Sequence, residues 1–137
     1  MQITVETLVA ASIERVWEAW NSPTDIVSWN FASDDWCCPS ARVDLRVGGT
    51  FGARMEAKDG SFGFDFEGTY TVVDHLRRLE YRMEDDRTVQ VTFEPEAEGV
   101  RVRESFDAED TNAAEMQRAG WQAIVDNFRK HVEAGQT

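Results

Sequence analysis

Apolar and polar side chains alternate along residues 2–10 and along six segments that follow residue 40. This period of two is typical of strands that bury one face. Turn sequences separate the later segments, among them Gly48-Gly49 and Asp59-Gly60. We therefore predict an N-terminal strand and a later meander of six antiparallel strands, with one apolar face and one polar face. The predicted inward positions of the meander are Val43, Leu45, Val47, Phe51, Ala53, Met55, Phe62, Phe64, Phe66, Tyr70, Val72, Leu79, Tyr81, Met83, Val89, Val91, Phe93, Val100, Val102 and Phe106.

Three other segments repeat their apolar residues at helical spacing. Ser12 can cap a first short helix, and Ser22 with Pro23 at the first helical position begins a second one. Asn112 can cap a third and longer helix that extends to about Glu133. The apolar arc of this last helix contains Trp121, Ile124, Val125, Phe128 and Val132.

The order of elements is one strand, two short helices, six strands and one long helix. This order predicts an α+β protein in which a strongly curved antiparallel sheet of about seven strands wraps around the C-terminal helix. Because the chain has no internal repeat or linker, residues 1–137 are expected to form a single domain. A curved sheet and a helix diverge somewhere along their contact, and such a gap is a natural ligand cavity.

Four segments carry a resemblance to a known family, namely residues 9–17, 44–49, 104–107 and 120–124. With the order of elements, they make the whole chain resemble the helix-grip fold of the START-like, or SRPBCC, superfamily. More narrowly, the chain is similar to the branch named for activators of the heat-shock chaperone ATPase. The resemblance implies a hydrophobic pocket between sheet and helix, and it makes a chaperone an alternative partner.

The charge of the chain narrows the range of partners. It has 26 acidic and 14 basic residues, which gives a formal net charge of −12 at pH 7. Such a chain repels phosphate backbones and anionic lipid headgroups alike, so we expect neither nucleic acid nor a membrane as partner. The arginines of the predicted strands are explained most simply by cross-strand pairing with acids on the polar face.

The two cysteines, Cys37 and Cys38, are neighbours in the chain. A disulfide between adjacent residues is strained, so we expect free thiols and a reducing compartment. The N-terminus has no basic region followed by an apolar stretch. These features predict a cytoplasmic protein.

Aromatic residues surround one irregular segment between the predicted second helix and the meander. Trp29, Phe31 and Trp36 flank or lie within residues 30–35, which contain turn residues and show no clear period. Large aromatic side chains in such a segment either close the mouth of a cavity or contact a molecule that enters it. Both interpretations are open from the sequence.

Further cavity candidates come from the predicted strands and from the last helix. Phe64 and Phe66 occupy inward positions of the longest predicted strand. Met83 and Met116 are pliable side chains that either line an adaptable pocket or fill gaps in the core.

Two polar residues fall among apolar positions. Glu104 lies on the inward register of its strand, and Gln117 lies near the apolar arc of the last helix. They either orient a mostly apolar ligand or hold a structural hydrogen-bond network, and a strand bulge could also turn Glu104 outward. Gly120 and Trp121 are further cavity candidates, although a glycine for close packing and an indole for the core are the simpler explanation.

The sequence offers little support for catalysis. His75 and His131 lie in no motif for a metal or a nucleophile, and no phosphate-binding or dinucleotide-binding fingerprint occurs. We therefore predict no catalytic residue, no metal and no cofactor. An enzyme of the cyclase or hydratase kind, which uses a polar cavity to orient its substrate, stays an alternative.

The leading hypothesis is a protein that binds a small apolar or amphipathic molecule between its sheet and its C-terminal helix without catalysis. The alternatives are a chaperone-linked interaction module and an enzyme that uses the same cavity. The predicted cavity residues are Trp29, Phe31, Trp36, Phe64, Phe66, Met83, Glu104, Met116, Gln117, Gly120 and Trp121.

Overall fold

A computed structural model describes residues 1–135 of the chain. The elements follow the predicted order, and the α+β fold with a C-terminal helix gripped by a curved sheet is confirmed. In chain order they are β1 (Gln2–Val9), α1 (Ile13–Asn21), α2 (Pro23–Trp29), β2 (Trp36–Val43), β3 (Thr50–Ala57), β4 (Gly63–Asp74), β5 (Arg78–Met83), β6 (Thr88–Glu96), β7 (Gly99–Asp107) and α3 (Ala114–Ala134).

The seven strands form one antiparallel sheet in the order β1-β7-β6-β5-β4-β3-β2. Strands β2 to β7 are a simple meander, and β1 joins it by pairing with the last strand. Glu104 on β7 pairs with Val5 on one side and with Val91 on the other. The side chain of Glu104 therefore points to the buried face together with Val102 and Phe106, as the alternation predicted.

Helix α3 packs on the concave face of the sheet and also covers the free edge of β1, the edge that does not pair with β7. Two of its polar side chains reach backbone carbonyls of that strand. The Arg118 guanidinium donates to the Thr4 carbonyl at 3.0 Å, and the Gln122 amide donates to the Glu6 carbonyl at 3.0 Å. These bonds satisfy main-chain groups that β1, as the terminal strand of the sheet, cannot pair with another strand.

Of the helices within residues 1–135, none has the length and hydropathy needed to cross a bilayer.

The helix starts follow the sequence in one case and depart from it in another. The Ser12 hydroxyl accepts a bond from the Arg15 amide at 3.2 Å, as predicted for the cap of α1. Helix α3 instead begins after Ala113, so the prediction of Asn112 as its cap is wrong by one residue. The side chain of Asn112 bonds to the Glu109 carboxylate, which keeps it within the preceding loop.

Three inward predictions in the meander are wrong because the chain leaves or shifts the strand register. Val47 is exposed, since β2 ends at Val43 and the next residues form a turn. Phe62 precedes β4 and is exposed as well. An irregularity after Tyr70 shifts the pairing with β5, and Val73 takes the place predicted for Val72 against the core.

Candidate functional site

The space between the C-terminal half of α3 and the sheet is filled by aromatic side chains. Helices α1 and α2 contribute Trp20 and Trp29, whose ring centroids each lie 4.9 Å from that of Phe128 on α3. The Trp29 indole N–H also donates to the Ala19 carbonyl at 3.0 Å, which fixes the ring. We call this group the packed cluster, and it comprises Trp17, Trp20, Trp29, Phe93 and Phe128.

The space beside the N-terminal half of α3 is hollow. A cavity of about 290 Å³ lies there between the sheet, α2 and α3, and it opens to solvent. Helix α3 borders it with Trp121 and Ile124, and α2 borders it with Ile26 and Trp29. The sheet contributes a mostly aromatic wall that includes Phe51, Phe64, Phe66, Tyr70 and Tyr81.

Glu104 is the one carboxyl from the buried face of the described sheet that lines this cavity. It is only 5% exposed, and the Tyr81 hydroxyl donates to its Oε2 over a long 3.5 Å. Burial raises the pKa of Glu104 to about 8, and the bond from Tyr81 opposes part of this increase. At neutral pH the side chain is therefore mainly an uncharged acid, which can donate a hydrogen bond into the cavity.

Two tyrosines continue the polar part of the wall. Burial raises the pKa of Tyr81 well above its usual value, and the neighbouring Glu104 adds to the increase. Burial also raises the pKa of Tyr70, with a smaller contribution from the charge of Asp44. Both hydroxyls stay protonated at neutral pH, so the buried polar groups of the wall are uncharged.

Trp121 is held in place as a wall of the cavity by its neighbours. Its ring stacks on that of Phe106, with centroids 3.9 Å apart and an angle of 11° between the planes. The edge of the indole also meets Phe66, with a centroid distance of 5.9 Å. These contacts orient a large side chain that is only partly buried.

The two arginines near the opening are each paired with an acid. Arg87 borders the cavity and pairs with Asp85, with 2.6 Å between Nε and Oδ2. Arg42 also borders it and pairs with Glu67 across the outer face of the sheet. Glu109 adds a carboxylate from the loop between β7 and α3. The opening therefore has mixed charge and presents no basic patch.

The predicted cavity residues divide into two groups. Five of them line the cavity together, and six lie elsewhere. The residues in the lining are Trp29, Phe64, Phe66, Glu104 and Trp121.

Gln117 is buried at the start of α3, where it bonds to the preceding loop. Its Oε1 accepts from the Glu109 amide at 2.9 Å, and its Nε2 donates to the carbonyls of Asn112 and Glu109 at 2.8 and 3.1 Å. The side-chain amide is thus occupied by main-chain groups. Gln117 lies outside the cavity lining and makes the structural network that the sequence left open as its alternative.

Met116 and Gly120 lie with Gln117 along a shallow depression at the first turns of α3, which adjoins the cavity and shares Arg87, Glu109 and Trp121 with its lining. Met116 is 64% exposed. A Cβ atom added to Gly120 would meet nothing within 4 Å, so the interpretation of Gly120 as a close-packing residue is wrong. Met83 is a buried core residue of β5 and does not border the cavity.

Phe31 and Trp36 also lie outside the cavity lining. Phe31 is partly buried, and its carbonyl accepts a bond from Asn127 on α3 at 2.6 Å. Trp36 packs against Phe62 and Phe64, with ring centroids 5.9 and 6.0 Å away. We call Trp36, Phe62 and Phe64 the rim cluster, because Phe64 belongs to both this exposed aromatic group and the cavity wall.

Several wall residues were absent from the predicted site although a signal for them existed. Phe51, Met55, Tyr70 and Tyr81 all occupy inward positions of the alternating pattern. The pattern shows which side chains face inward, but it does not show which of them meet empty space.

No arrangement for a metal occurs in the part of the chain that the structure describes. Within residues 1–135, no three His, Cys, Asp or Glu side chains come together as potential ligands. His75 packs against Trp17, and His131 bonds to Asp25 at 2.8 Å. Cys37 and Cys38 are free thiols, and burial raises the pKa of Cys38 to about 11.

A curved antiparallel sheet that grips a long helix around an apolar cavity is the arrangement of the START-like, or helix-grip, class of proteins. The family model described as "Activator of Hsp90 ATPase homolog 1-like protein" matches residues 10–133, and the chain belongs to this family. Among curated proteins, none matches the chain.

Solved structures of bacterial proteins support the assignment. The chain is 50% identical to an AHSA1-like protein from Aeromonas hydrophila, with a TM-score of 0.93 over 99% of this chain and 94% of that one. It is 44% identical to Chr148 from Cytophaga hutchinsonii, with a TM-score of 0.84 over 98% and 94%. Protein CV1439 from Chromobacterium violaceum is 24% identical, with a TM-score of 0.87 over 97% and 98%, and shows the shared fold.

Proposed function

We propose that this protein binds a small, largely apolar molecule in the cavity between its sheet and helix α3. The observation that carries the proposal is the cavity of about 290 Å³ with its aromatic wall. Beside the C-terminal half of α3, Trp20 of α1 and Trp29 of α2 fill the corresponding space between helix and sheet. Unfilled apolar volume costs stability, so a cavity of this size favours a functional explanation.

The volume limits the size of the ligand. Ligand pockets usually measure roughly 300–1,000 Å³, and this cavity lies at the lower end of that range. A dry apolar cavity of about 150 Å³ can hold benzene. A molecule with two fused aromatic rings, or an aliphatic molecule of similar size, therefore matches the space.

The proposal can be tested in two steps. Native mass spectrometry of the protein purified from its own host should show added mass from a bound small molecule. Calorimetric titration of the unliganded protein with acetylnaphthalene should then show binding at one site. If the purified protein carries no added mass and no bicyclic aromatic probe binds, the proposed function is overturned.

A matched pair of variants tests whether the probe binds in the cavity. Ala53 lines the cavity and is buried, so Ala53→Leu should fill part of the volume and weaken probe binding at least about tenfold. Ala119 lies on the exposed side of α3, so Ala119→Leu adds the same side chain away from the cavity. Equal binding by both variants would place the probe elsewhere on the molecule.

A second candidate function is interaction with a chaperone ATPase, as the description of the family suggests. The rim cluster favours it, because Phe62 and Phe64 are 62% and 42% exposed beside Trp36. Exposed apolar groups of this kind often mark contact surfaces. The test is calorimetric titration with the Hsp90-type chaperone of the same host, in which Phe62→Ser should weaken binding and Val47→Ser, another exposed apolar position, should not.

A further inference from the structure

Glu104 is a buried acid in the cavity wall whose neighbours are mostly apolar. Its strand partners are the apolar residues Val5 and Val91, and its one polar side-chain contact among the described residues is the hydroxyl of Tyr81. Within residues 1–135, no Arg, Lys or His side chain forms an ion pair with it. A carboxylate in such a place lacks the partner that would offset its desolvation.

The other titratable and charged groups around the cavity also leave Glu104 without a partner for a negative charge. The titratable neighbours on β4 and β5 are Tyr70 and Tyr81, both protonated at neutral pH. The cations at the opening, Arg42 on β2 and Arg87 before β6, are each paired with an acid of their own. Helices α2 and α3 contribute only uncharged side chains to the wall, and Glu109 adds a further negative charge at the opening.

We propose that the cavity selects uncharged ligands that carry one hydrogen-bond acceptor, such as an aryl ketone, and that protonated Glu104 donates to this acceptor. The proposal rests on the proposed function and names the class of molecule that the same cavity takes. Tyr81 positions the acid through its hydroxyl, and the aromatic wall contacts the apolar part of the ligand.

Charged ligands fit these observations less well. An organic cation would need Glu104 to ionise, because only the carboxylate attracts it, and binding would then release a proton. Burial raises the pKa of Glu104 to about 8, so this ionisation works against the cation at neutral pH. A carboxylate ligand would bring a second anionic group into a protein with a net charge of −12.

The test compares four probes that share a naphthalene ring and differ in one substituent. They are acetylnaphthalene, ethylnaphthalene, naphthylmethylamine and naphthoate. At about pH 6, the ketone should bind tighter than the ethyl compound by about tenfold, which is the value of one buried hydrogen bond. The amine and the carboxylate should bind more weakly than the ketone.

The pH dependence separates the ligand classes further. Raising the pH from about 6 to about 9 should weaken ketone binding about tenfold, because deprotonation of Glu104 removes the donor. Near pH 8, calorimetry in two buffers with different ionisation enthalpies should show proton uptake on ketone binding. Proton release would indicate a cation, and this measurement uses the unchanged chain.

Two substitutions at one position provide the control. Glu104→Gln keeps a donor of nearly the same shape but cannot titrate, so it should bind the ketone at about pH 6 within about threefold of the original chain and lose the pH dependence. Glu104→Leu removes the donor, so the ketone should lose its advantage over the ethyl compound. The ethyl compound itself reports whether each variant still has an intact cavity.

The outcomes distinguish this inference from the proposed function. If no probe binds the unchanged chain, the binding function itself fails. If the ethyl compound binds as tightly as the ketone, or if the amine or the carboxylate binds best, the cavity binds ligands but the role of Glu104 is overturned.

Discussion

Helix α3 contacts the same sheet along its length, but its two halves border different interiors. Around Phe128 the rings of Trp20 and Trp29 occupy the gap, and every ring in that group has an aromatic neighbour. Around Trp121 the gap stays open, and the ring has a neighbour on one side and the cavity on the other. The difference arises because the rings of Trp20 and Trp29 fill the space beside Phe128, whereas α2 only borders the open part with Ile26 and Trp29.

The comparison shows that residue type does not decide between core and cavity. Tryptophan and phenylalanine serve in both regions, and what differs is whether a third element brings side chains into the space between helix and sheet. The closed half should therefore carry more of the stability, and the hollow half should carry the ligand specificity. Four predictions test this division, beginning with the largest expected effect.

The first prediction concerns the closed half. Phe128→Ala should lower the free energy of unfolding by about 3–5 kcal/mol, because the ring is fully buried and its removal leaves a cavity beside Trp20 and Trp29. Trp121→Ala should cost only roughly 1–2 kcal/mol, since the indole is already partly exposed to the cavity. Urea denaturation of both variants measures the difference. Equal losses would mean that the two halves contribute alike.

The second prediction concerns the acid of the hollow half. Because the pKa of Glu104 is raised to about 8 in the folded chain, the folded state holds a proton that the unfolded state releases at lower pH. Its contribution to stability is complete below the usual Glu pKa and is lost as the pH rises through about 8. Relative to Glu104→Gln, the original chain should lose on the order of 3 kcal/mol between about pH 5 and about pH 8. Parallel curves for both chains, measured by denaturation across this range, would contradict the assignment.

The third prediction concerns the side-chain contacts that join the helices at the closed end. Arg15 on α1 and His131 on α3 both bond to Asp25 on α2, at 2.9 and 2.8 Å. The bond from Arg15 lowers the pKa of Asp25, with a smaller contribution from His131 and against the effect of partial burial.

Asp25→Asn should lower the free energy of unfolding by about 2 kcal/mol at neutral pH, because the bonds to a charged acceptor are lost. The stabilisation by Asp25 is present above the usual Asp pKa and disappears as the pH falls through the lowered folded value. The difference between the two chains should therefore shrink in acid. A difference that stays constant into acid would indicate that the charge of Asp25 is not its source.

The fourth and smallest effect should be a gain in stability. Gly120 lies in the interior of α3 beside the cavity, and an added Cβ would meet open space. Gly120→Ala should raise the free energy of unfolding by about 0.5–1 kcal/mol, because alanine costs less entropy in a helix. Thermal unfolding checks the sign. A loss of stability would show that the glycine permits a bend or approach that the fold requires.

The sequence was sufficient for the number and order of the elements and for the orientation of most side chains, although β2 begins at Trp36, before the predicted start of the meander. The alternation along β7 placed Glu104 on the buried face, and the helical period of α3 placed Phe128 and Val132 there as well. Local patterns of this kind depend only on the period of strand or helix, so they can be read without the tertiary structure.

The candidate site was less predictable because it depends on contacts between distant segments. Gln117 lies on the predicted face of its helix, but the loop at Glu109 and Asn112 occupies its amide, and the sequence does not indicate this fold-back. A cavity is also defined by the side chains that fail to fill a space. Phe51 and Tyr81 carried the same inward signal as the filled core, so periodicity could not separate the two groups.

The contacts between α3 and the main chain of β1 have a further consequence for misfolding. Arg118 and Gln122 occupy carbonyls on a strand edge that would otherwise be open to another chain. Partial unfolding that releases α3 would uncover that edge together with the apolar face of the sheet. A species lacking the docked helix should therefore aggregate by strand addition, so the last element of the chain also protects the first strand from self-association.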